Sequence, residues 1–546
     1  MKRILFLVLI LAGTAGSALT LRTWNGGSTD MNAAANWTGG AGALSATDSI
    51  VFDATSAVNA TASAAVSVGN MKTAGYLGAI SFSGKTLTTV NGFNLTHAGT
   101  TNLGNGITMS ENGALVFGSG IGAVTGNFIT ITFNGIDTLK NNSGYAGVAK
   151  LSVGNSGSLV YNKENASLYI PGTPWLVLGT NSKFSLENNM TITLKYTASC
   201  QTMSLGSEYT FNIASGSTFA IRSSTGKVID TIPAMTITGG GIFSVYDANT
   251  SEGKQTWVFS GSIIKPIGVI TLYNSGISKS IHKLNNITTS KLSIGQSGTT
   301  SFDTFVFYGY TYDLDMMDLS TYNPASGASP VDSLQSSIIN CHTWIGGTNH
   351  SIIPGTSVVT IDSTGTVTSA GKSFYRFHVS AAGAVAINRT VTLADAFSCL
   401  DTLGILAGLF NDGGFAITCD NYINIGTTDS ANISGTKNIT RDFIRGVGSL
   451  AKNINAITRF VGAQNSQITL NQNKMERVRI VKTTSANGAV FLDTPDTLRS
   501  LRDSVGWCND IAGVIVDSTN YFNDTVNIAT LKCYDTLNFL TACKAR

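Results

Sequence analysis

The chain has 546 residues, 12% of them charged, and a formal net charge of +3 from 34 basic and 31 acidic side chains. A charge so sparse and balanced supplies no clustered basic face to displace the counterions of a nucleic acid, so nucleic-acid binding is not expected. The hydrophobic content of 42% excludes a chain too polar to fold, and the length calls for several domains or one elongated repeat architecture.

The first residues read as an export address. Lys2 and Arg3 precede an apolar run over 4–11, and Gly16-Ser17-Ala18 offers a small-residue cleavage site, so residues 1–18 are expected to be a signal peptide. The apolar run is shorter than the ~20 residues that a spanning helix needs. No cysteine follows it to carry a lipid, and no later segment is long and apolar enough to span a bilayer. The expected location is therefore secreted, extracellular or on a cell surface.

From residue 19 onward, short runs of alternating apolar and polar residues recur between Gly, Asn and Ser punctuation, the pattern of many short β-strands. Ile129-Thr130-Ile131-Thr132-Phe133 is one of the clearest, and alternation of this kind turns one face to a core and the other to solvent. A small preamble repeats ahead of several strands: Asn112-Gly113-Ala114-Leu115, Ser156-Gly157-Ser158-Leu159 and Ser215-Gly216-Ser217-Thr218. The first two copies fit two coils of a stacked repeat, in which no coil buries its inner face alone. The fold expected is all-β, an elongated parallel β-helix or β-solenoid; a tandem of sandwiches or jelly rolls would show many of the same strands.

Thr23-Trp24-Asn25-Gly26-Gly27 is echoed by Thr343-Trp344-Ile345-Gly346-Gly347, and Gly84-Lys85 by Gly371-Lys372. Pro324, Pro330 and several Ser residues just before the second Trp motif read as a linker. The expected organisation is a first solenoid segment over 19–335, a second over 336–440, and a β-rich terminal cap over 441–546. Short helices are expected at 393–400, 451–460 and 498–505.

The opening motif, continued by Asn36-Trp37 and Asp48-Ser49-Ile50-Val51-Phe52, resembles the start of proteins with autotransporter-associated β-strand repeats. The resemblance covers about 35 residues closely and about 300 loosely, through composition and turn pattern. The resemblance implies a large secreted bacterial β-helical protein of the display and adhesion kind. The chain shows no pattern for a C-terminal membrane barrel, so a self-anchoring autotransporter is not implied. Phage tail and appendage proteins share the solenoid style.

Chemistry-bearing residues are few. Asp313, Asp315 and Asp318 form a DxDxxD run whose carboxylates could ligate Ca²⁺, the single cofactor candidate. No Gly-turned loop with a closing Glu follows, and a polar turn is the plainer reading. Asp493, Asp496 and Arg499 flank a predicted helix, with Asp496 placed as its N-cap. Arg477 and Arg479 share a strand face that could meet acidic sugars or simply be solvated. The histidines are His97, His282, His342, His350 and His378, and the Cys341, His342 and His350 spacing matches no common zinc pattern. Cys399 and Cys419, and Cys508 and Cys533, stand about one coil apart, where residues stack at about 4.8 Å. Each pair is either a disulfide or a ladder of buried thiols.

Trp24, Trp37, Trp175, Trp257, Trp344 and Trp507 could stack on sugar rings, though the repeated setting of Trp24 and Trp344 suggests plugs at the end of a coil stack. Asn-x-Ser/Thr triplets begin at Asn36, Asn94 and Asn165. The function expected is a non-catalytic structural or adhesive scaffold for surface display or attachment. Its partners would be extracellular glycans or a cell surface, with self-assembly into an oligomer also open. The competing reading is a carbohydrate-active β-helix: a polysaccharide lyase, hydrolase or phage-type depolymerase working through paired carboxylates.

Overall fold

The structure is a computed structural model. It describes residues 19–539 apart from 97–98, 105, 111–112, 118–123, 126–128, 142–147, 154–157, 163–166, 171–175, 179–182, 188–190, 197–202, 206–208, 224–227, 248–253, 275–278, 297–302, 323–328, 382–388, 426–429, 447–449, 452–455, 472–473, 485, 493–495, 506, 511–513, 517–519, 523–525, 529–530 and 534–536. Residues 1–18, expected to be a signal peptide, lie outside them, as do His97, Asn165 and Trp175.

The fold is a parallel β-solenoid. Among the described residues the sole helical element is the 3-10 turn Ala34–Asn36. The chain divides into two compact units, Met1–Thr225 with Asp230–Val245, and Gly226–Ile229 with Tyr246–Arg546.

In the first unit, Thr20–Trp24 pairs in parallel with Asp48–Asp53, which pairs with Val66–Ala74, which pairs with Thr86–Leu95. The last strand is long enough to feed two ladders. Its first half pairs with Gly106–Met109 and its second with Gly113–Phe117, so the coil turns a corner within one strand. The second ladder continues through Ile136–Asn141, Ser158–Asn162, Lys183–Glu187 and Thr210–Ile213. The strands that follow the first two copies of the small preamble, Gly113–Phe117 and Ser158–Asn162, therefore lie two coils apart on one ladder. The third opens Thr218–Ser223, which belongs to a different ladder.

Period-two alternation fixes what goes inside. Ile50, Met71, Phe93, Leu115 and Leu139 are register partners in succession and all are buried. In such a column every coil covers the apolar side chain of the one before it, at ~1.5–3 kcal/mol for each side chain fully buried. At the start of the unit Trp24 packs edge-on to Trp37 at 5.1 Å, and both contact Phe52. Their indole N–H groups donate to the carbonyls of Val58 (3.0 Å) and Met31 (2.7 Å), which lets both rings be buried without an orphaned donor.

The second unit is built the same way. One inward column runs Ile339, Val359, Phe377, Leu403, Tyr422, Phe443, Ile468 and Phe491, each the register partner of the next and each buried. Parallel pairing continues through the expected linker, from Thr311–Tyr322 to Ile338–Ile345 to Val358–Ile361. Trp344 is consequently an inner residue with coils paired on both sides of it, edge-on to Phe374 at 5.1 Å, and not an end plug.

The three expected helices are not formed. Phe397–Ala407 and Ile457–Gly462 are strands, and Asp496–Val505 is a strand paired with Lys474–Lys482. Two of the three carry a bulge, Phe397–Ala407 between Cys399 and Thr402 and Asp496–Val505 between Asp503 and Val505, whereas Ile457–Gly462 is paired without a register shift. A bulge shifts the inside-outside alternation by one residue and imitates an i, i+3 pattern. The glycine echo, by contrast, is a reused turn. Gly84 and Gly371 both take positive φ, +69° and +75°, and the following lysine N–H closes the turn onto Phe82 and Ser369 respectively. Only glycine adopts that backbone at little cost.

Candidate functional site

A corner of the second unit forms an open recess. Lys254–Phe259, Lys279–Leu284 and Thr304–Phe307 stack in parallel, with Val258 against Lys283 and Lys283 against Val306. The chain then turns through Tyr308-Gly309-Tyr310 into Thr311–Tyr322. Phe307 and Tyr312, on either side of the turn, are buried edge-to-face at 4.9 Å. The Tyr312 hydroxyl donates to the Leu284 carbonyl at 3.3 Å, and burial pushes its ionisation upward. With both flanking rings fixed inside, alternation turns Tyr308 and Tyr310 out, where they are 36% and 41% exposed.

The two tyrosines, Val258, Phe259, Lys283 and Leu284 enclose a groove of about 330 Å³. Its one charged lining group is the Lys283 ammonium. Aromatic faces beside an apolar floor accept the C–H face of a sugar ring, and phenol and ammonium groups at the rim can hydrogen-bond its hydroxyls. Among the described residues the groove's lining includes no carboxylate or histidine.

The residues singled out from sequence fall elsewhere. Asp313 and Asp315 face outward from Thr311–Tyr322, whereas Asp318 is buried. Asp313 accepts from Asn340 Nδ2 at 2.8 Å; Asp315 lies 3.5 Å from His342 Nδ1, and His342 Nε2 lies 3.5 Å from Asp362. Asp318 binds the Lys291 ammonium at 2.6 Å and accepts from Ser320 N and Oγ, both at 2.8 Å. Thus the strand alternation parts Asp318 from the other two. Among the described residues no group of three or more His, Cys, Asp or Glu is placed to hold a metal ion.

Cys341, His342 and His350 also diverge. His342 is on the outer face, Cys341 is buried with its thiol ionisation pushed up by desolvation, and His350 is inside. His350 Nδ1 sits 2.7 Å from Asp332 Oδ2, and neither side chain reaches solvent. A histidine oriented by a carboxylate is the arrangement of a catalytic base. Here no substrate can approach it, and His350 Nε2 has no hydrogen-bond partner.

Cys399 and Cys419 are direct register partners and both are buried thiols. The Cys399 S–H lies 3.0 Å from the Tyr375 carbonyl, and burial raises its pKa to about 12. Cys508 is matched instead with Ala489 and Val526, and Cys533 with Val516. They stand on different ladders because the coil closes before residue 533 is reached, so the expected stacking of that pair does not occur. Asp493 lies outside the described residues, and Asp496 and Arg499 are on a strand, which removes the helix-cap role. The Asn36 side chain is committed inside, accepting from Ser28 N at 2.8 Å and donating to the Asp30 carbonyl at 2.6 Å.

Sequence reasoning did not single out Tyr308 and Tyr310. Their signal is an aromatic-Gly-aromatic turn between two buried aromatics, visible only once the strand phase on both sides is known. No family model, curated protein or solved structure matches the chain.

Proposed function

We propose that the chain is an exported β-solenoid scaffold that attaches to glycans at an extracellular surface. The observation that carries this reading is the Tyr308–Tyr310 groove, a pair of outward rings with a lysine at the rim, mounted on continuously paired coils. Stacked parallel strands are a stiff support, so a ring pair anchored by the buried Phe307 and Tyr312 is pre-organised and loses little freedom on binding. The outer face offers further rows of small polar groups at fixed spacing. Ser373, Ser398, Thr418 and Asn438 are register partners in succession.

The test is binding of the intact protein to an immobilised panel of neutral polysaccharides, beside a Tyr308→Ala/Tyr310→Ala variant. Retention of at least one glycan by the wild-type protein, lost in the double variant with an unchanged melting temperature, is the expected result. Equal retention by both proteins would remove the groove from the account. Release of new reducing ends from any glycan would replace attachment by depolymerisation.

A further inference from the structure

Farther along the second unit, three strands place arginines directly above one another. Asn438 is followed in register by Arg459, Arg479 and Arg502, on Ile457–Gly462, Lys474–Lys482 and Asp496–Val505. Arg477 shares the outer face with Arg479, two residues away along the strand. The alternation assigns the direction: Thr458, Phe460, Val478 and Ile480 are buried, while Arg459 and Arg479 are half-buried and Arg477 is exposed.

Register neighbours in a parallel sheet are separated by about 4.8 Å. Like charges held at that distance repel, and folded proteins normally answer such a row with carboxylates. Among the described residues no acidic group forms an ion pair with Arg459, Arg477 or Arg479. Arg459 Nε is shielded from water and has no hydrogen-bond partner. Asp420, on Ile417–Asn424, accepts the Thr440 hydroxyl, and Asp442, in the turn after Thr436–Ile439, accepts the Gln467 N–H at 3.2 Å. Lys482, at the end of the middle strand, points inward onto the Thr440 and Val461 carbonyls and Ser466 Oγ.

The neighbouring outer positions are Ile457, Val461 and Val481, all half-buried. The strip is thus a short basic ridge between aliphatic flanks, on a chain whose net charge is only +3. Its geometry suits a ligand with carboxylates repeated along a linear backbone. Guanidinium forks take carboxylates two-pronged, and aliphatic flanks tolerate the less polar face of a sugar.

We propose that the outer face of these three strands is a docking strip for an acidic polysaccharide, separate from the Tyr308–Tyr310 groove. The register fixes the charge spacing, and the ligand's carboxylates relieve the repulsion among the stacked arginines. Nucleic acid is the less suitable polyanion because the described outer positions of the strip, Ile457, Arg459, Val461, Arg477, Arg479 and Val481, include no aromatic ring for bases to stack on.

The probe is alginate, with dextran as the neutral control and single-stranded DNA as the competing polyanion. Full-length protein should bind alginate, not dextran, with an affinity that falls steeply as salt rises. Arg459→Gln/Arg477→Gln/Arg479→Gln should weaken alginate binding by about tenfold or more, since several ion contacts are lost together. Arg477→Gln alone, at an exposed position, should weaken it by a few-fold without touching stability, which keeps the test readable if the triple variant folds poorly. The Tyr308→Ala/Tyr310→Ala protein should bind alginate like wild type. The proposal is overturned if wild type fails to bind alginate, if the arginine variants bind it undiminished, or if DNA is bound more tightly than alginate at the same salt.

Discussion

Two inward columns of the second unit, built on the same parallel register, hold opposite chemistry. In the column Ile339, Val359, Phe377, Leu403, Tyr422, Phe443, Ile468 and Phe491, every member is apolar or aromatic. The column Trp257, His282, Phe305 and Asp332 is equally buried, yet it alternates aromatic rings with two titratable groups. His282 stacks on Phe305 at 4.6 Å with planes 18° apart, and neither of its ring nitrogens has a hydrogen-bond partner. Asp332 is held by His350. The backbone ladder fixes which positions face inward, whatever residue stands there, and polar residues at such positions must find partners or carry a desolvation cost.

The largest effect that would sharpen this contrast is at the buried pair. Asp332→Ala or His350→Ala leaves a polar partner stranded inside and should cost ~3–5 kcal/mol, read from the urea midpoint of the transition that this unit reports. Replacing both with leucine should recover much of that loss. In the apolar column, Leu403→Ala removes contacts without stranding a polar group and should cost about 3 kcal/mol, with a similarly sized variant such as Leu403→Met nearly neutral. If the single substitutions in the two columns prove equal and the double leucine variant recovers nothing, the contrast is broken.

His282 gives a smaller effect with a distinctive pH signature. Burial lowers its pKa from 6.5 to about 3. Above pH 6.5 the ring is neutral in folded and unfolded chains alike. Between pH 6.5 and 3 the unfolded chain takes up a proton that the folded one refuses, so stability falls as pH falls through that window. His282→Phe should abolish this part of the acid sensitivity and raise stability at pH 7 by ~1–2 kcal/mol, because two unsatisfied nitrogens are removed. The raised pKa of Asp332 acts in the opposite sense above pH 3.8, which is why the difference between wild type and variant is the quantity to measure. The smallest effect is expected outside. Arg376 Nε binds Asp401 at 2.6 Å with its side chain 47% exposed, and Arg376→Ala should shift stability by less than ~1 kcal/mol.

The comparison also shows what could be read in advance. Alternation in runs such as Ile129 to Phe133 marked strands and their inner faces, and the spaced Asn-Gly-Ala-Leu and Ser-Gly-Ser-Leu preambles marked the coil repeat. Bulged strands such as Phe397–Ala407 were misread as helical, since one extra residue changes the local period. The Cys399–Cys419 adjacency was legible because that coil is regular, and the Cys508–Cys533 adjacency was misjudged because coil length changes near the C-terminus.

The sequence by itself determined that this chain is built of short strands with one inward face, since period-two alternation is a property of neighbouring residues, and its coil-length repeat pointed to a solenoid over a tandem of sandwiches. Only the tertiary structure decided which residues share a column. Register depends on the length and bulges of every intervening turn, and so the arginine row at 459, 479 and 502, the Tyr308–Tyr310 groove and the His350–Asp332 pair all arise from residues brought together a coil or a corner away.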